Sequence, residues 1–103
     1  MRPLEGIKVV EFATYVVVPV AARLLADWGA EVIKIEGRGG DTWRITSMGH
    51  TKTCHEENPL FDIFNAGKKS ISLNMKTPEG MEIFFKLLEN ADILIPTPAT
   101  SLW

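Results

Sequence analysis

A short β-branched run, an amphipathic helical stretch and a second β-branched run follow one another up to Glu36, and nearly the same succession returns from Lys69 to Ile95. "IKVVEF", Ile7 to Phe12, is apolar and β-branched in the manner of a buried strand. Pro19 stands where a helix can begin, since a first-turn residue needs no amide donor. Ala21, Leu24, Leu25 and Trp28 follow at i, i+3, i+4 and i+7, which predicts one apolar core face. Gly29 is a natural stop, and "EVIKIE", Glu31 to Glu36, is the second strand.

The polar segment Gly37 to Asn58 separates this unit from its echo. "KSISL", Lys69 to Leu73, alternates as a strand does, and Thr77-Pro78-Glu79 supplies an N-cap, a first-turn proline and an acid at the positive helix end. Met81, Phe84, Phe85 and Leu88 form the second apolar stripe, and "DILI", Asp92 to Ile95, reads as a fourth strand ended by Pro96. Two βαβ units in succession predict an open parallel α/β sheet. In such sheets ligands bind beyond the carboxyl ends of the strands, here Ala13 to Val18, Gly37 to Asp41, Asn74 to Thr77 and Pro96 onward.

Composition narrows the ligand. Eleven basic and thirteen acidic residues leave a formal charge of -2, so neither a nucleic acid nor a membrane is expected as partner and any anion site is local. The apolar run Tyr15 to Ala22 is too short to span a bilayer and lacks the flanks of a signal peptide. A lone cysteine, Cys54, fits a reducing cytoplasm. A chain of 103 residues has room for one small domain.

On the expected rim, "GRGGD" gives backbone freedom at Gly37, Gly39 and Gly40 and a fixed charge at Arg38. Asn74, Lys76 and the amides opening the second helix add donors, which together suit a phosphorylated ligand. A plain surface turn is the competing reading of the pentapeptide. Lys68 and Lys69 are expected to be a solvated edge. A nicotinamide or flavin site is disfavoured because the first turn, Ala13 to Val18, lacks G-x-G-x-x-G, although Glu36 ends the second strand where a ribose-binding acid could sit. His50, Cys54, His55 and Glu56 match no closed zinc spacing, so no metal is expected, and Cys54 has no orienting third group for nucleophilic work.

"PLEGIKVVEF", Pro19, "LLADWGAEVIKIE", "GDTWR" and "FNAGKKSISLNMKTPEGMEIFFKLLENADILI" together resemble the N-terminal part of class III CoA-transferases, in order from Pro3 to about Ile95. The resemblance implies a Rossmann-like large domain, truncated here, with residues 1–95 belonging to it and 96–103 an atypical tail. It implies an enzyme that moves coenzyme A from an acyl-CoA to a carboxylic acid without a metal, in interlocked homodimers of much longer chains. By motif, contacts to CoA fall on Val16, Val17, Gly37, Arg38, Leu73, Asn74, Met75 and Lys76. In the family an arginine often follows the strand-two glutamate directly, whereas Gly37 intervenes here.

The segment from Trp43 to Ser70 looks most like the branch acting on 2-hydroxy acids. The family's catalytic aspartate, which forms a mixed anhydride and then an enzyme-bound CoA thioester, lies beyond "PTPATSLW", so no residue is assigned that role and the chain alone is expected to be an inactive fragment. Asp92 begins a strand at the far end from the rim, and Asp41 is expected to shape its loop. Two other readings stay open: a non-catalytic nucleotide-binding or assembly module, and a dinucleotide-binding dehydrogenase domain.

Overall fold

A computed structural model describes residues 2–12, 17–37, 40 and 59–96. Four strands, β1 (Lys8–Phe12), β2 (Glu31–Glu36), β3 (Lys69–Ser72) and β4 (Ile93–Pro96), form one sheet in the order β3-β2-β1-β4, with every pairing parallel. Three helices accompany them: α1 (Val17–Asp27), α2 (Pro59–Asn65) and α3 (Pro78–Glu89). The open parallel α/β sheet expected from the repeated pattern is present.

The two units are not equivalent, however. β1-α1-β2 joins neighbours, whereas β3-α3-β4 carries the chain from one edge of the sheet to the other. With crossovers of one hand, reversing the direction of travel moves the connecting helix to the opposite face. The two cores follow that rule. Val9 and Val32 pack with Ala22 and Ala26 of α1, while the intervening Val10, Phe12 and Ile35 pack with Leu73 and with Phe84 of α3. Phe12 and Phe84 meet with ring centroids 5.5 Å apart. Each face of the sheet therefore carries a helix.

α1 differs from expectation in its rotation. Its most buried positions are Pro19, Ala22 and Ala26, whereas Leu24 is 47% and Trp28 51% exposed. Helical spacing holds but the stripe is offset, because small residues let a helix axis lie close to a sheet, while bulky ones mark the greatest hydrophobicity and not the nearest approach. The helix also starts at Val17, two residues before Pro19. Proline is still tolerated there, since the first-turn amides have no intrahelical acceptor. Gly29, with φ +107°, ends the helix as expected. On α3 the stripe holds for Phe84, Met81 and Leu88, but Phe85 turns outward and is 55% exposed.

The N-terminus of α3 is as the sequence indicated: Thr77 is the N-cap, its Oγ1 accepts from the Gly80 amide at 3.1 Å, and Pro78 follows. Thr77→Val, which keeps shape but loses the acceptor, is expected to cost about 1 kcal/mol, read as a lower urea midpoint at unchanged slope. α2, "PLFDIFN", has no counterpart among the elements expected from sequence; seven residues are too few to show helical periodicity, and only Pro59 marks its start.

Candidate functional site

β1 is the strand from which the chain departs in both directions, β2 lying on one side and β4 on the other. A crevice at the carboxyl end of such a switch point is the usual ligand site of open α/β sheets. Beside it, the loops after β2 and β3 are stitched into one ledge. The Leu73 amide donates to the Glu36 carbonyl at 2.9 Å, and the Ser72 hydroxyl to the Gly37 carbonyl at 3.3 Å. Gly37 is exposed, with no atom of the described residues within 4 Å of where a Cβ would project, so among them a ligand can lie directly against its backbone. Positive φ occurs at Gly40 (78°) and not at Gly37.

The "LNMK" residues divide their work. Leu73 and partly buried Met75 belong to the core under α3, so only their backbone is available to the rim. Asn74 shapes the turn: its Oδ1 accepts from the Lys76 amide at 3.1 Å, and its carbonyl accepts from the Thr77 amide at 3.2 Å and hydroxyl at 2.9 Å. The expected cradle of amides at the start of α3 is thereby reduced. Those of Lys76, Thr77 and Gly80 are satisfied within the turn, and Pro78 has none. Among the described residues, the cationic side chain that the ledge offers an anion is the exposed Lys76. Val17 begins α1, next to β1, while Val16 and Arg38 lie outside the described residues, as do Asp41, His50, Cys54, His55 and Glu56.

The main feature that sequence reasoning missed is a buried charge cluster on the α1 face of the sheet. Glu11 and Lys34, paired in register on β1 and β2, are 0% and 1% exposed, and Lys34 Nζ donates to Glu11 Oε2 at 2.7 Å. Lys68 Nζ meets the other oxygen, Oε1, at 2.5 Å as an ion pair, with 2% of its side chain exposed. The expectation of a solvated Lys68-Lys69 edge is thus half corrected: Lys69 is exposed and faces Glu31 at 3.8 Å, but Lys68 is interior. The available signal was a charge of opposite sign inside each of two β-branched runs. Glu36 is also buried and accepts from the Ser70 hydroxyl at 3.3 Å, which takes it away from the ribose-binding role open to it in a dinucleotide domain. Asp92 lies at the opposite end from the ledge, where its Oδ2 accepts from the Lys8 amide at 2.9 Å.

A family model described as CoA-transferase family III matches residues 4–99. The chain belongs to CoA-transferase family III. The (R)-2-hydroxy-4-methylpentanoate CoA-transferase of Clostridioides difficile is 48% identical over 95 residues, which cover 89% of this chain and 23% of that protein. The cinnamoyl-CoA:phenyllactate CoA-transferase of Clostridium sporogenes is 45% identical over 92 residues, covering 88% and 22%. The crystal structure of a CAIB/BAIF family protein from Brucella suis superposes with a TM-score of 0.82 at 37% identity, over 92% of this chain and 25% of its own. This family III chain therefore spans about a quarter of the length of the relatives it matches.

Proposed function

We propose that this chain forms the coenzyme A-binding part of an enzyme that transfers CoA from an acyl-CoA to a carboxylic acid, with a 2-hydroxy acid as the acid exchanged. The observation that carries it is the ledge made by the loops after β2 and β3, where an exposed backbone at Gly37 adjoins the turn that presents the Lys76 ammonium. CoA suits such a ledge, because its phosphates need a cation and its long polar arm can be met by open backbone. When bound, CoA supplies the thiol whose thioester is exchanged. Within the ledge, Lys76 balances phosphate charge, Asn74 holds the turn that carries Lys76, and Leu73 and Met75 anchor that turn in the core. The acid class is supported by the names of the two transferases above, one of 2-hydroxy-4-methylpentanoate and one of phenyllactate.

No nucleophile is assigned within this chain, and we infer that alone it binds CoA without transferring it. Homodimerisation in a cytoplasmic enzyme completes the reading. Its support is the apolar surface left at Leu24, Trp28, Ile93 and Leu94, and a single cysteine.

Calorimetric titration tests the site. CoA is expected to bind the chain in preference to NAD, and Lys76→Ala is expected to weaken CoA by about 3- to 10-fold, the scale of removing one charge-assisted hydrogen bond at an exposed site. Equal affinity in parent and variant removes Lys76 from the site, and preference for NAD replaces the CoA reading with the dinucleotide one.

A further inference from the structure

Lys68 does more than neutralise Glu11. Its ammonium also donates to the Pro19 carbonyl at 2.8 Å and to Asn65 Oδ1 at 2.8 Å, so one nitrogen joins β1, the first turn of α1, the end of α2 and the lead-in to β3. Two hydrogen bonds and an ion pair thus converge on one buried ammonium. Lys34, by contrast, reaches Glu11 between two strands already held in register by their own ladder. Among the described residues, the ion pairs of this cluster set two lysines on one carboxylate, and removing either leaves a one-to-one pair.

We propose that Lys68 is a positioning residue: from inside the core it fixes the start of α1 against the sheet, beside the carboxyl end of β1, the switch point that adjoins the CoA ledge proposed above. The bond to Pro19 is the reason. A helix begins with its first turn held only at one end, and the amides there have no intrahelical acceptor. A buried ammonium bonded to a first-turn carbonyl sets where that turn stands relative to the sheet. Arg23, one turn later, donates to the Ile63 carbonyl of α2, so the same edge of α1 is tied down twice. The CoA consequence rests on the function proposed above; the clamp itself does not.

The test compares Lys68→Met with Lys34→Met in the 103-residue chain. Each retains one ion pair with Glu11, so both are expected to fold, and urea midpoints show whether they are destabilised alike. Hydrogen exchange followed by mass spectrometry then reads α1 locally. Ala21 to Leu24 bond back to the first turn, and their amides are expected to exchange at least about tenfold faster in Lys68→Met than in Lys34→Met. CoA affinity is expected to fall by about tenfold in Lys68→Met and to stay within about twofold in Lys34→Met, with Lys68→Arg recovering part of the loss because it keeps cation and donors.

Equal exchange in the two methionine variants overturns the proposal, as does equal CoA affinity in the two when the parent binds. If the parent binds no CoA, the CoA reading falls by itself, and the exchange comparison decides whether Lys68 holds the turn.

Discussion

Glu11→Gln is expected to destabilise the chain by about 3–5 kcal/mol, a large share of the roughly 5–15 kcal/mol that holds a small domain together. The substitution hardly changes shape. It removes the negative charge that faces Lys34 Nζ at 2.7 Å and Lys68 Nζ at 2.5 Å, so two buried ammonium groups lose the carboxylate they share. A buried ion that loses its partner retains its desolvation cost and loses the attraction that offset it. Equilibrium urea unfolding measures the loss. A change under about 1 kcal/mol would mean that water or another anion reaches the lysines, because that is the scale of exposed pairs.

Gly80→Ala is expected to be the second large effect, and its sign opposes the ordinary rule. In a helix, alanine in place of glycine normally adds about 1 kcal/mol of stability. Here a Cβ would stand 1.9 Å from the Asn74 carbonyl oxygen and 2.7 Å from its carbon, and both are backbone atoms that no rotamer change moves aside. Overpacking against backbone outweighs the propensity gain, and a net loss of about 3 kcal/mol is expected. The damage falls on the turn that presents Lys76, since the displaced carbonyl accepts from both the amide and the hydroxyl of Thr77. Urea unfolding reads the stability and CoA titration the ledge; an alanine variant as stable as the parent would show that the turn can shift at little cost.

Much of this architecture is legible in the sequence, for identifiable reasons. "KVVEF" and "EVIKIE" are strands in the protein because β-branched runs of that length suit a central parallel strand. Thr77-Pro78 starts a helix because capping chemistry is local and needs no tertiary information. What the sequence leaves hidden depends on distance in the chain. Which side of α1 meets the sheet is decided by how closely two backbones approach, and Ala22 and Ala26 permit this where Leu24 and Trp28 do not. Lys68 reads as half of a surface pair because Glu11, Pro19 and Asn65, which it meets, come from other elements. Topology alone places the rim, yet the extent to which the α3 amides are already used emerges only from the Asn74 turn.

The position of β1 has a consequence for the order of assembly. It is synthesised before the other three strands and takes β2 early, across a short connection. Its other side waits for β4: the Lys8 amide bonds Asp92 Oδ2, and the Asp92 amide returns to the Lys8 carbonyl, across 84 positions of chain. Pairings so far apart demand a large loop closure before any contact offsets it, and they slow folding. At a synthesis rate of about 5–20 residues per second, that interval lasts roughly 4 to 17 seconds. For that time the centre of the sheet is an edge, and a chaperone or another nascent chain can reach it before β4 does.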